Sequence, residues 1–208
     1  GGAYVLNGAG EVAGVTQLTE WGLLETPIML THSLAVGRVA DACARWMIDH
    51  YPGIGDYEDV VLPVVGECDD SFLNDAAGVH VSAADVHQAI ETAQSGPVAE
   101  GAVGAGTGMI TCDFKSGIGT SSRRIPTDGA TYTIGALVCS NWGRMADLRV
   151  DGVPVGALVE PEYAQMVKRQ RNAGSIIVVI ATDAPLWPTQ IARICKRASL
   201  GIGRAGSS

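Results

Sequence analysis

Within residues 33–50 the apolar side chains Val36, Val39, Ala40, Cys43 and Met47 recur at three- and four-residue intervals. That spacing predicts one amphipathic helix. Pro52-Gly53-Ile54-Gly55 ends it and opens a loop. Residues 60–65 are rich in β-branched side chains and read as a strand. Ser82, with Asp85 three positions on, has the form of an N-cap for a helix over residues 83–94. Residues 109–114 and 132–139 read as further strands, and the short apolar stretch Ala3-Tyr4-Val5-Leu6 is strand-like. Asp151-Gly152 between two apolar arms is a hairpin signal, with Pro154 confining the second arm to an edge. Residues 160–173 are polar and weakly patterned, either a short helix or a loose loop. Residues 175–181 are a continuous apolar run, the pattern of a strand buried on both faces. After Pro188, the residues Ile191, Ile194, Cys195, Ala198 and Ile202 mark a closing helix. Strands alternate with helices, so the expected class is a layered α/β or α+β domain.

Composition narrows the function classes. The 208 residues suffice for about one domain with a sizeable core. With 47% hydrophobic and 17% charged residues, the chain reads as compact and not disordered. Low charge together with 27 glycines also suggests surface buried against other polypeptide. The net charge of −8 disfavours nucleic acid or an anionic membrane as partner, because phosphate binding needs clustered Lys and Arg. The run Lys168-Arg169-Gln170-Arg171 reads as a solvated segment. Cys43, Cys68, Cys112, Cys139 and Cys195 lie far apart with no C-x-x-C pair, which predicts buried reduced thiols. His32, His50, His80 and His87 show no metal-binding spacing, so neither a metal nor another cofactor is expected. No apolar run reaches the roughly 20 residues of a membrane span. No signal peptide is visible, so the expected compartment is cytoplasmic, or periplasmic if a leader precedes this sequence.

The densest chemical signal is the glycine-rich run over residues 95–109, Ser-Gly-Pro-Val-Ala-Glu-Gly-Ala-Val-Gly-Ala-Gly-Thr-Gly-Met. Glycine there lets backbone N–H groups crowd a ligand. The run lacks the spacing of a P-loop or of a dinucleotide fingerprint. Taken with Lys115-Ser116-Gly117-Ile118-Gly119-Thr120-Ser121-Ser122-Arg123, it resembles the DmpA-type L-aminopeptidase/D-esterase family, peptidase family S58. That family includes β-aminopeptidases and a pantetheine hydrolase. The resemblance spans nearly the whole chain. It continues through Leu62-Pro63-Val64-Val65 with Glu67, Phe72-Leu73-Asn74-Asp75, Asn141-Trp142-Gly143 and the segment Gly174-Ser175 to Ala184-Pro185.

The resemblance implies a four-layer α-β-β-α sandwich of the N-terminal-nucleophile type, incomplete without a β segment. Residues 1–206 would be the α segment and Ser207 the first residue of the β segment. Gly206-Ser207 would then be a self-cleavage junction and Ser207 the nucleophile. Read by composition alone, Gly-Ser-Ser is a flexible tail. The chemistry suits the junction reading: scission gives Ser207 a free α-amine, which titrates near 7.7–8.0 and serves as its own general base. Asn141 corresponds to the family's oxyanion-hole asparagine, and its neutral amide can donate to a tetrahedral oxyanion. Its plainer role is a turn after a strand. Glu67 is a candidate for holding a substrate ammonium, against the simpler reading of an exposed strand-end carboxylate. Glu100 is similar. Gly104, Gly106 and Gly108 are candidates for a pocket floor or for tight loop packing. The expected partners are the β segment, a small peptide, amide or ester substrate, and further αβ copies, commonly in a tetramer. The rival readings are a pantetheine-type amide hydrolase, an acyltransferase like ornithine acetyltransferase, and a non-catalytic binding or structural subunit.

Overall fold

The structure is a computed structural model that describes residues 1–168 and 174–207. Along the chain come β1 (Val12–Ala13), α1 (Val15–Trp21), β2 (Ile28–His32), α2 (Val36–His50), β3 (Val64–Cys68) and α3 (Ala83–Glu91). Then follow β4 (Ile110–Thr111), β5 (Phe114–Lys115), β6 (Ile118–Thr127), β7 (Ala130–Asn141), α4 (Val155–Val159), β8 (Ser175–Thr182) and α5 (Pro188–Arg204).

These elements stack in four layers. The first sheet has the order β1-β3-β2, with β2 and β3 parallel from Ile28↔Val64 to His32↔Cys68. Parallel neighbours need a crossover, and α2 supplies it. The apolar stripe of α2 packs with α3 on this sheet, closing a core of Ala35, Val39, Ala42, Cys43, Val65 and Val86. The second sheet, β6-β7-β8, is antiparallel throughout. Its β7 and β8 lie against β3, and α5 packs along β8 as the fourth layer. Between the sheets sits a second core of Cys68, Met109 and Cys139, flanked by Leu30, Ile118 and Ile177. Gly66 permits the close approach there, since a Cβ would stand 3.2 Å from Ile177. The α-β-β-α arrangement expected from the resemblance is therefore present, in the α+β class.

Several boundaries differ from the sequence expectation. The strand expected over residues 60–65 begins at Val64 and runs to Cys68. Pro63 has no N–H for a ladder, and the Val64 N–H is met by Thr26 Oγ at 3.2 Å. Residues 109–114 are not one strand. Cys112 and Asp113 adopt φ of 51° and 64° and fold β4 back on β5. The polar β6 carries no strand signal, because most of its residues face solvent. Residues 175–181 do form a strand, but it is a half-exposed edge and not buried on both faces. Asp151 and Gly152 make the turn, but their arms meet only at the Val150↔Val153 bridge before α4 begins. Ala3 to Leu6 pairs with no strand. Residues 160–163 form a short 3-10 turn, and Lys168 pairs with Glu160 at 2.7 Å, while residues 169–173 lie outside the described residues. All five cysteines are free, four of them buried.

Candidate active site

A cavity of about 570 Å³ opens where β2 and β3 end and β8 begins, a size suited to a small ligand. Its lining includes Glu11, His32, Ser33, Glu67, Asp69 and Ser175. The parallel register of β2 and β3 brings His32, Ser33 and Glu67 to the same end of the first sheet.

Glu67 is not the exposed strand-end acid of the simpler reading. It lies within β3, 9% exposed, because the strand is enclosed by helices on one side and the second sheet on the other. One carboxylate oxygen accepts the Ser33 hydroxyl, and the other accepts the Glu11 N–H at 3.2 Å. Gly10 passes so close that a Cβ would fall 2.3 Å from Glu67 Oε1. Among the described residues Glu67 has no ion-pair partner. A buried carboxylate without a cation is costly, so this geometry favours a cationic ligand.

Asn141, the last residue of β7, is 1% exposed. Its Nδ2 donates to the Asp69 carbonyl at 2.6 Å and to Ser175 Oγ at 3.0 Å. Its Oδ1 accepts the Ile110 N–H at 3.2 Å. It therefore stands one hydrogen bond behind two residues that line the cavity. A turn-former after a strand would not be enclosed in this way.

Gly206 and Ser207 lie at the end of α5, where the Ser207 N–H donates to the Ile202 carbonyl at 3.2 Å. Gly206 has φ 113°, and a Cβ there would stand 1.8 Å from the Asp147 carbonyl oxygen, so only glycine fits. Gly206 thus packs on the segment that follows Asn141. Ser207 is not among the cavity-lining residues.

Two glycines of the run, Gly106 and Gly108, serve packing in this structure. Gly106 abuts Gly101 and Gly117, Gly108 abuts Asp70, and Gly104 has open space where a Cβ would go. None of the three lines the cavity. Glu100 is held by the Thr120 N–H and hydroxyl, away from it. Lys115 clamps the run from its own side, donating to the Gly106 and Met109 carbonyls at 3.2 Å each.

Sequence reasoning assigned no role to His32, Ser33, Asp69 or Ser175. His32 is 7% exposed and its Nδ1 has no hydrogen-bond partner. The available signal was local: a polar His-Ser pair between an apolar strand and an amphipathic helix, and a lone serine opening an apolar run.

The family model of peptidase family S58 matches residues 1–208. The chain is 44% identical over 214 residues to a protein named beta-peptidyl aminopeptidase BapA from Sphingosinicella microcystinivorans, covering 97% of this chain and 53% of that protein. Among solved structures, a Burkholderia sp. beta-aminopeptidase superposes with a TM-score of 0.90 at 46% identity, covering 99% of this chain and 55% of that one. The L-aminopeptidase D-Ala-esterase/amidase of Ochrobactrum anthropi, described as a prototype for the serine aminopeptidases and a variant of the Ntn hydrolase fold, gives 0.89 at 42% identity, covering 99% and 56%. The chain spans about half the length of the curated relative and of the solved structures it matches.

Proposed function

The chain belongs to peptidase family S58, and from that membership we propose that it forms part of a self-processing serine aminopeptidase. The substrates would be small peptides, amides or esters bearing a free amine. The observation that carries this reading is the Glu67 carboxylate, buried at the cavity with no ion-pair partner among the described residues. A substrate ammonium supplies the missing charge, while Ser33 and the Glu11 N–H hold the carboxylate still.

In this reading the Ser207 hydroxyl attacks the Gly206 carbonyl; the N→O acyl shift breaks the peptide bond, frees the Ser207 α-amine and leaves an ester, and water hydrolyses that ester to the Gly206 carboxylate and the free Ser207 hydroxyl. That amine then takes the proton as Ser207 attacks the substrate carbonyl. Asn141 donates to the oxyanion, a contribution of about 2.7–4 kcal/mol for one such donor. Water hydrolyses the acyl-enzyme. The β segment from Ser207 onward and further copies of the αβ unit are the proposed partners. A serine at the junction speaks against the acyltransferase reading, whose nucleophile is a threonine. The acidic lining speaks for an amine-bearing substrate over a binding subunit without chemistry.

The test is Ser207→Ala in the complete gene product. It is expected to remain a single chain by denaturing gel and intact mass, and to lose turnover of aminoacyl p-nitroanilides. Undiminished hydrolysis by that variant overturns the reading.

A further inference from the structure

Ser175 stands directly opposite Asn141 in the β7–β8 ladder. Its Oγ accepts two N–H groups, from Asn141 Nδ2 at 3.0 Å and from the Asp69 backbone at 3.1 Å. Asp69 in turn accepts Asn141 Nδ2 at 2.6 Å. One hydroxyl oxygen therefore ties the chain leaving β3 to the end of β7, and both Ser175 and Asp69 face the cavity.

This arrangement decides which way the Asn141 carboxamide points. Its oxygen is claimed by a donor, the Ile110 N–H, and its nitrogen by two acceptors. A flipped amide would set oxygen against the Asp69 carbonyl and nitrogen against the Ile110 N–H, whereas the Ser175 hydroxyl could turn to meet either end. The two acceptors differ in kind. The Asp69 carbonyl is backbone and its contact is the shorter, so it acts as the anchor. The Ser175 hydroxyl makes the longer contact on a side chain that can rotate, and it keeps the Asp69 N–H when Asn141 leaves it.

We propose that Ser175 is the positioning residue for Asn141: its hydroxyl holds one Nδ2 hydrogen at the edge of the cavity and releases it to the developing oxyanion. The proposal rests on the reading of Asn141 as the oxyanion donor. In this role Ser175 acts through Asn141.

Threonine and valine at position 175 have nearly the same shape and differ in the hydroxyl, so comparing them isolates the oxygen from the packing. In the complete gene product, with cleavage first verified by gel, Ser175→Thr is expected to keep kcat within about threefold of the parent, and Ser175→Val to lower it about tenfold or more. KM should move less than about twofold in either, because uniform substrate binding is untouched. In an Asn141→Ala background the difference between Thr and Val should vanish, which a merely structural role would not produce. Equal kcat for the Thr and Val variants overturns the proposal, as does a Thr/Val ratio that survives in the Asn141→Ala background. Failure of the underlying reading shows separately, as undiminished turnover by Asn141→Ala alone.

Discussion

At Glu67 the hydrogen bonds already in place leave charge, and not polarity, as what the carboxylate lacks. Glu67→Gln keeps the size and an acceptor for the Glu11 N–H, turns the other contact into an N–H donated to the Ser33 hydroxyl, and removes the charge. In the complete gene product it is expected to raise KM for amine-bearing substrates about tenfold to a hundredfold, the range for losing a charge-assisted hydrogen bond. Its effect on kcat should be smaller. Steady-state kinetics on an aminoacyl p-nitroanilide checks this, and an unchanged KM removes Glu67 from amine recognition. How legible such residues were follows from what each one needs. Glu67 and Asn141 stood out because they lie in segments that carry the family resemblance and because acids and amides have recognisable chemistry, and both are buried. Ser33 and Ser175 were not legible, because a hydroxyl acquires a role only from the partners that distant strands bring to it.

Among the elements, α3 shows what local sequence determines. Ser82 and Asp85 form a full capping box, with Asp85 N–H donating to Ser82 Oγ at 3.4 Å and the Ser82 N–H donating to Asp85 Oδ2 at 2.8 Å. Ser82→Ala is expected to cost about 1 kcal/mol of helix stability, visible as faster amide exchange through α3 and a lower thermal midpoint. The Ser82 hydroxyl, then its N–H, lower the pKa of Asp85. A lowered carboxylate pKa stabilises the fold above the unfolded-state value, and that stability is lost as pH falls through the folded-state value. Asp85→Asn should therefore be less stable than the parent near neutrality and converge with it in acid. Spacing found α2 and α5, and the cap signal found α3, because turn period and cap are properties of each helix alone. The register of β3 was displaced because it depends on Pro63 and on Thr26, 38 residues upstream of Val64. β6 escaped for a related reason, although its partner β7 was expected over residues 132–139. A strand whose residues mostly face solvent has no apolar alternation to report it.

For the whole molecule, surface area is the quantity that sequence hinted at and structure makes definite. A self-contained monomer of 21.5 kDa exposes about 9,200 Å² by surface–mass scaling. This chain exposes 12896 Å². The difference is of the order found in obligate interfaces. Much of the exposed material is apolar: Trp21, Leu23, Tyr57, Leu62 and Trp187 are each more than half exposed, and α5 buries no residue fully. Low charge and abundant glycine had suggested buried surface, but not where it lies. A net charge of −8 opposes indiscriminate aggregation without covering those patches. The 208-residue chain by itself is accordingly expected to bind a hydrophobic reporter dye and to associate with rising concentration in analytical ultracentrifugation. The complete gene product should do neither beyond its own defined assembly. A dye-silent, monomeric 208-residue chain would mean that this surface tolerates water unaided, and the case for an obligate covering partner would fall with it.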